Sequence, residues 1–275
     1  MKRLYNSLII SCMLLLATPA SAALIEQWSF ENSAGFISWQ AAGVTPSGAS
    51  NYLDDDNNLQ TWYSTLTWGA PFEGGPLSSF SITSPINGTI MTNGATQFGT
   101  PLVHNNFPIL DNGQLLTQAV LLDKLLLTPL VPAGPALDAP TITFDIRFFE
   151  TVNAPGAGIL CPDGNPQGIA SNINGCGDIF AIASPFDLVQ SFILDGYLYT
   201  INIGIIGGDI LPDAACSELS FASGCYGFVT IENASNTILP FFSITARPFN
   251  EIPEPAGLAL FGIGLLLLRR LGARQ

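Results

Sequence analysis

Residues 141–148 read Thr-Ile-Thr-Phe-Asp-Ile-Arg-Phe, a regular alternation of polar and apolar side chains. Successive side chains of an extended strand point to opposite faces, so the four apolar residues share one face. This segment therefore predicts a strand of an antiparallel sheet with one buried face. Other segments rich in β-branched and aromatic residues predict further strands at residues 59–68, 88–92, 119–127, 179–183, 197–205, 227–232 and 238–246.

The residues between these segments favour turns rather than helices. Asn93-Gly94 and Asp195-Gly196 are typical of tight hairpins, and only 11% of the 275 residues are charged. Long amphipathic helices need a charged outer face, which this composition does not supply. The sequence therefore predicts an all-β fold: a single antiparallel β-sandwich or jelly-roll-like domain over residues 23–247, followed by a short linker at residues 248–252.

Charge is distributed unevenly along the chain. Of the 21 acidic residues, 20 lie between Ala23 and Ile252, where only three basic residues occur: Lys124, Arg147 and Arg247. Such an acidic surface repels nucleic-acid phosphates, so we expect no binding to DNA or RNA. It favours solubility outside the cell and weakly attracts divalent cations.

The first 22 residues have the layout of a secretory signal peptide. Two basic residues precede an apolar stretch at residues 7–16, and Ala20 and Ala22 provide the small side chains that signal peptidase reads. We expect a signal helix that engages the Sec translocon and is cut between Ala22 and Ala23. A lipoprotein signal at Cys12 is the alternative, but the apolar stretch before that cysteine is short.

The other end of the chain carries a second apolar segment, residues 256–268, followed directly by Arg269 and Arg270. As a helix this segment covers about 20 Å, less than a bilayer core of about 30 Å. Basic residues after an apolar run favour retention on the cytoplasmic side of a membrane. The pattern predicts a short C-terminal transmembrane helix, with the body of the chain outside the cytoplasm.

Pro253, Glu254 and Pro255 stand just before this apolar segment, and the arginine cluster follows it. The three parts in this order resemble the PEP-CTERM sorting signal of Gram-negative bacteria, here over residues 253–275. The resemblance implies recognition by an exosortase, a transient inner-membrane anchor, and delivery to the cell surface or the extracellular matrix with its exopolysaccharide. A plain single-pass membrane anchor is the alternative.

Four cysteines follow the predicted signal cleavage site. In an oxidising periplasm they favour disulfides, which can pair in three ways. We favour Cys161 with Cys176 and Cys216 with Cys225, because each pair brackets a loop rich in small polar residues. A zinc site is the alternative, but the two-residue spacing typical of zinc ligands is missing.

Residues 102–109, Leu-Val-His-Asn-Asn-Phe-Pro-Ile, resemble the Thr-His-x-Asn motif of the THxN family of PEP-CTERM proteins. Residues 149–153, 176–180 and 225–232 support this resemblance. Val103 stands where the family has threonine, which removes any role of that hydroxyl, and the family offers no activity that could be transferred to these residues. The motif residues are His104, Asn106, Pro108 and Ile109.

Two segments carry residues that could bind a metal ion or take part in catalysis. His104, the only histidine, could act as a general base or a metal ligand, but turn-forming residues follow it. We therefore expect His104 to shape a loop through hydrogen bonds. Asp54, Asp56 and Asn58 offer clustered oxygens to a Ca²⁺ ion, although their spacing does not match an EF-hand, and such a run is usually a solvated turn.

The sequence favours a non-enzymatic exported protein, associated with the cell surface, exopolysaccharide or biofilm and without a bound cofactor. One alternative is a carbohydrate- or Ca²⁺-binding module that uses tryptophan faces such as Trp62 and Trp68, although most of the four tryptophans are expected in the core. Another is a secreted hydrolase with an unrecognised site. No set of nucleophile, base and orienting group can be named in the sequence, which argues against an enzyme.

Overall fold

The computed structural model describes residues 23–249, except residues 42, 55, 111–113, 140, 154–157 and 184–187. The predicted signal peptide (residues 1–22) and the predicted sorting signal with its membrane helix (residues 253–275) lie outside the described residues. Within the described ranges, no helix combines the length and the hydropathy that a bilayer crossing requires.

The described chain is built almost entirely from β-strands. Its helical elements are a short α-helix, α1 (Asp213–Glu218), and two 3₁₀ turns at Phe72–Gly74 and Ala170–Asn172. In chain order the strands are β1 (Gln27–Gln40), β2 (Thr45–Leu53), β3 (Leu59–Trp68), β4 (Ala70–Pro71), β5 (Ser78–Ile82), β6 (Ile86–Met91), β7 (Gln97–Phe98), β8 (Leu102–Asn106), β9 (Ile109–Leu110), β10 (Gln118–Val131), β11 (Leu137–Asp138), β12 (Ile142–Phe149), β13 (Asp178–Ile182), β14 (Val189–Leu194), β15 (Tyr197–Ile206), β16 (Asp209–Ile210), β17 (Tyr226–Thr230) and β18 (Ala234–Pro248).

Most of these strands form one large antiparallel sheet with the order β14-β15-β18-β8-β5-β3-β1-β10-β12-β13-β17-β16. The two 14-residue strands at its centre, β1 and β10, pair from Gln27 opposite Val131 to Gln40 opposite Gln118. Strands far apart in this order contribute to the same core, as β18 and β13 do through Ile238 and Phe180. The sheet therefore packs against itself, and the predicted all-β, sandwich-like fold is confirmed.

The main compact unit comprises residues 25–192 and 199–246. The other described residues, 23–24, 193–198 and 247–249, belong to a second, small unit. This small unit contains the Asp195-Gly196 turn that joins β14 to β15, as the sequence predicts. Inside it, the amide of Phe249 donates a hydrogen bond of 2.8 Å to the carbonyl of Gly196.

Aromatic side chains fill the centre of the main unit. The ring centroid of Phe80 lies 4.8 Å from those of both Trp68 and Phe180, and Phe148 lies 4.7 Å from Phe180. Tilted and edge-on ring pairs at such distances are favourable beyond the area that they bury. This aromatic group holds β3, β5, β12 and β13 together, and it sets the position of the site described below.

The alternating segment at residues 141–148 forms β12, with Ile142, Ile146 and Phe148 buried as its pattern predicts. The strand predicted at residues 59–68 is found with the same bounds as β3. The other predicted strands are found within a few residues of their expected ends. The sequence missed β1, because a register shift near Phe36 and the run from Asn32 to Gly35 interrupt its alternation.

The structure joins Cys161 to Cys176 and Cys216 to Cys225, the pairing that the sequence favours. The second bridge links α1 to the residue just before β17 and is fully buried with Ala215 and Ile179. Two disulfides indicate an oxidising environment, because thiols in the cytosol are kept reduced.

We expect replacement of both Cys216 and Cys225 by serine to lower the free energy of unfolding by about 2–3 kcal/mol, because the unfolded chain loses a loop constraint. Urea denaturation followed by tryptophan fluorescence measures this change. The wild type in reducing buffer should lose more stability than the variant in oxidising buffer, since reduction opens both bridges. A variant as stable as the oxidised wild type would contradict the proposed contribution of this bridge.

Candidate functional site

Three acidic residues meet at one end of the adjacent strands β12, β13 and β17. Glu150 directly follows β12, Asp178 begins β13, and Glu232 follows β17 by two residues. Because these neighbours are antiparallel, the end of β12 and the end of β17 both lie beside the start of β13. The register places Asp178 opposite Thr230 on β17.

A close backbone approach makes this convergence possible. A Cβ atom on Gly177 would lie only 2.3 Å from the carbonyl oxygen of Thr230, so the residue before Asp178 has to be glycine. On the other side, the Thr151 hydroxyl donates to the carbonyl of Cys176. The disulfide loop, β12 and β17 are thereby fixed around Asp178.

The carboxyl groups of Glu150, Asp178 and Glu232, which we call the acid cluster, are close together and buried. One oxygen from each lies within 4.8 Å of the other two. Asp178 and Glu232 are 0% and 1% exposed, and Glu150 is half-buried. Carboxyl groups rarely occupy such positions without a partner that offsets the loss of water.

Burial and mutual repulsion disfavour the charged forms of the acid cluster. Burial raises the pKa of Glu150 to about 8, and the charge of Glu232 adds to this effect. Burial followed by repulsion from both glutamates raises the pKa of Asp178 well above its usual value. Burial also raises the pKa of Glu232 to about 7, against hydrogen bonds that favour its charged form.

Few hydrogen-bond donors reach these carboxyl groups. The amide of Thr151 donates to Asp178 Oδ1 at 2.8 Å, and the side-chain amide of Asn106 donates to Glu232 Oε1 at 2.9 Å. Among the described residues outside the acid cluster, no donor hydrogen-bonds to Asp178 Oδ2, Glu232 Oε2 or either oxygen of Glu150, whereas Asp178 is within hydrogen-bonding reach of both glutamates. The indole N–H of Trp68 favours the charged form of Glu150 but makes no hydrogen bond of standard geometry. Four carboxylate oxygens are therefore free to hold shared protons or a cation.

Asn106 reaches the acid cluster from β8, a strand that pairs with β5 and β18. Alternate residues of β8 are buried, namely Leu102, His104 and Asn106. The side-chain oxygen of Asn106 has no hydrogen-bond donor among the described residues, although this residue is fully buried. Rotation of the Asn106 side-chain amide by about 180° would turn its oxygen, Oδ1, toward the carboxyl groups.

His104 lies on β8 and not in a loop, so the expectation from its turn-forming neighbours is wrong. Pairing with Phe80 on one side and Asn236 on the other holds this segment extended. The imidazole stacks on Trp68 at 5.6 Å, and burial lowers its pKa to about 3. Thr230 donates to the carbonyl of Asp178, so Nδ1 of His104 donates to the Thr230 hydroxyl, at 3.0 Å. The neutral ring of His104 is therefore part of the aromatic core.

The remaining motif residues lie just beyond β8. Ile109 is buried on the short strand β9, which pairs with β4. The carbonyl of Pro108 accepts a hydrogen bond of 3.3 Å from the amide of Phe72. These two residues support the chain after β8 and do not belong to the acid cluster.

All four segments that carry the family resemblance contribute to this site. The sequence pointed to His104 and Asn106 but did not single out Glu150, Asp178 or Glu232. Each acid is the one charged residue in a short neutral segment next to a strand, and this pattern is the signal that could have found them. Their meeting depends on the pairing of β12, β13 and β17, which the sequence alone does not show.

The other candidate residues lie elsewhere. Asp54 closes the turn between β2 and β3 by accepting from the amides of Asp56 and Asn58 at 3.0 and 2.8 Å and from the side chain of Gln60 at 3.0 Å. These hydrogen bonds, that of the Asn58 amide first, lower the pKa of Asp54. They account for the polar run without a metal ion.

The four tryptophans divide into two groups. Trp28 and Trp68 are fully buried, as expected for core residues. Trp39 and Trp62 are half-buried, and Trp62 stacks on Tyr52 with 4.9 Å between ring centroids. Two of the four tryptophans are therefore fully buried in the core, fewer than the sequence predicts.

Comparison with known proteins finds no family model that matches this chain and no curated protein that matches it significantly. The assignment of a function therefore depends on the geometry of the site.

We expect the metal-free protein to lose stability as the pH rises from about 5 to 8. Carboxyl groups of the unfolded chain release their protons near pH 4, whereas the folded acid cluster keeps protons up to a pH of about 7–8. The free energy of unfolding should fall by about 1.4 kcal/mol per pH unit for each retained proton. Urea denaturation in a chelator at several pH values measures this slope.

The variant Asp178→Asn should reduce this pH dependence, because it removes one titrating group. Glu218→Gln, which makes the same carboxyl-to-amide change at an exposed residue of α1, should leave it unaltered. A wild-type stability that stays constant or rises over this range would show that the folded acid cluster does not retain protons.

Proposed function

We propose that this chain is an exported, non-enzymatic protein of the cell surface or extracellular matrix, and that its acid cluster binds one Ca²⁺ ion. The observation that carries the proposal is the group of carboxylate oxygens without hydrogen-bond donors, in side chains whose oxygens approach within 4.8 Å. A divalent cation would offset the repulsion among the three carboxylates, which water cannot screen at this depth.

The chemistry of the donor groups favours a hard cation. Carboxylate and amide oxygens are preferred ligands of Ca²⁺, which takes six to eight oxygens and tolerates irregular geometry. The carboxyl groups of Glu150, Asp178 and Glu232 could provide up to six oxygens, and Asn106 could add another. A soft or borderline ion would require thiolate or imidazole ligands, but all four described cysteines are in disulfides.

The surroundings of the acid cluster support a structural role for the ion. Asp178 is fully buried at the start of β13, which has a neighbouring strand on each side, so a substrate could not touch it without opening the sheet. His104 is neutral and packed among aromatic rings, which does not suit a general base. A bound ion would instead join the ends of β12, β13 and β17 to the loop of the Cys161–Cys176 disulfide.

Export is supported by independent features of the chain. Two disulfides suit an oxidising compartment, and the acidic composition suits a soluble extracellular protein. The terminal segments support entry through the Sec translocon, cleavage by signal peptidase, and exosortase sorting through Pro253, Glu254 and Pro255 after a transient stay in the inner membrane of a Gram-negative cell. Extracellular Ca²⁺ sites commonly have dissociation constants of about 10⁻⁴–10⁻³ M, which fits a protein that meets Ca²⁺ after export.

We expect isothermal titration calorimetry on the chelator-treated protein to show one Ca²⁺ ion bound per chain. At a Ca²⁺ concentration of about 100 times the dissociation constant, the free energy of unfolding should rise by about 2.7 kcal/mol. Affinity should increase from pH 6 to pH 8, because the ion competes with protons that the acid cluster retains at lower pH.

Two matched variants locate the ion. Asp178→Asn should abolish binding, whereas Asp54→Asn, in the exposed polar turn, should bind Ca²⁺ as the wild type does. Binding that is lost in Asp54→Asn and kept in Asp178→Asn would move the site to the turn. Absence of a heat of binding at millimolar Ca²⁺ would contradict the proposed Ca²⁺ site.

Export is tested by replacing Pro253, Glu254 and Pro255 with alanine in a Gram-negative host that has an exosortase. We expect the wild type to start at Ala23, to lose its tail and to reach the cell surface or the medium. The variant should keep its tail and stay in the inner membrane. Localisation and intact mass distinguish these forms, and full-length protein in the cytosol with free thiols would contradict export.

A further inference from the structure

A cavity of about 100 Å³ lies inside the main unit, away from the acid cluster. Its wall contains alternate residues of several strands, so whole strand faces point into it. β10, β12 and β15 each contribute three residues to this wall, namely Leu121, Asp123, Leu125, Ile142, Phe144, Ile146, Ile201, Ile203 and Ile205, and β13, β17 and β18 contribute others.

One part of this wall is polar. Asp123 stands between Leu121 and Leu125 on the face of β10 that lines the cavity. The side-chain amide of Asn32 donates to Asp123 Oδ1 at 2.8 Å, and Asn32 is itself held by the amide and hydroxyl of Thr100 at 2.7 and 2.9 Å. The carboxyl group is therefore fixed in position by a neutral hydrogen-bond network.

The second oxygen of Asp123 is not used by this network. Within the described part of the chain, Asn32 is the only side chain that donates to this carboxyl group. Burial raises the pKa of Asp123 to about 7, against the effect of the Asn32 hydrogen bond. A carboxyl group that lines an apolar cavity and has one oxygen outside this network offers an acceptor to a donor from outside the chain.

We propose that this cavity binds a small amphipathic molecule, whose apolar body packs against the strand faces and whose hydroxyl or ammonium group donates to Asp123. Apolar cavities of about 150 Å³ take up a ring the size of benzene, so a cavity of about 100 Å³ suits an apolar group of about four carbon atoms. The carboxylate excludes anionic head groups through repulsion. None of the three acid-cluster residues lines this cavity.

Three probes with the same alkyl chain separate the contribution of the apolar chain from that of the head group: butylamine, 1-butanol and butanoate. Methyl NMR spectra at pH 8 report their binding through shifts at Leu121 and Ile203. We expect shifts with butylamine and 1-butanol and at least about tenfold weaker binding of butanoate. Absence of shifts with all three probes, or butanoate binding as tight as that of butylamine, would overturn the proposal.

Two variants test the two parts of the site. Asp123→Asn should weaken the binding of butylamine about tenfold and affect that of 1-butanol much less, because only the ammonium group needs a charged partner. Ala34→Leu, which fills the cavity from β1, should abolish binding of every probe; Ile203→Phe replaces it if that variant does not fold. Binding unaffected by both changes would place the probes elsewhere on the protein and overturn the proposal.

Discussion

Repulsion among three buried carboxyl groups is the constraint on which the rest of this structure depends. Glu150, Asp178 and Glu232 come together where water cannot screen them, and few donors reach their oxygens. Two solutions exist in physical terms: the groups keep protons, or they share a cation. Retained protons stabilise the metal-free fold at low pH. A shared cation would stabilise the fold at neutral pH in an environment that contains Ca²⁺.

The fold places this constraint at a junction of its parts. β12 and β17 end there, β13 begins there, the Cys161–Cys176 disulfide lies next to Gly177 in the chain, and β8 brings Asn106 from across the core. The stacked aromatic rings of Trp68 and His104 lie next to the same junction. A change of charge in the acid cluster therefore acts on the sheet, on a disulfide loop and on the aromatic core together.

Local pattern was enough to predict much of the sheet. β3 and β12 follow from strong alternation or from runs of β-branched and aromatic residues, and the hairpin at Asp195-Gly196 follows from its turn residues. β1 and β8 were missed because polar or small residues interrupt them, and their extended form depends on partner strands on both sides. The same reason explains the site: His104 and Asn106 belong to a recognisable motif, whereas the three acids become a group only through the order of the strands.

The most direct test of the account uses Tb³⁺, which binds to oxygen sites in place of Ca²⁺ and emits when a nearby indole is excited. Trp68 lies beside Glu150, so excitation of tryptophan should give Tb³⁺ emission that added Ca²⁺ suppresses. This emission should fall strongly in Trp68→Phe and vanish in Asp178→Asn. Emission that persists in Asp178→Asn, or its absence in the wild type, would contradict a cation site at the junction of β12, β13 and β17.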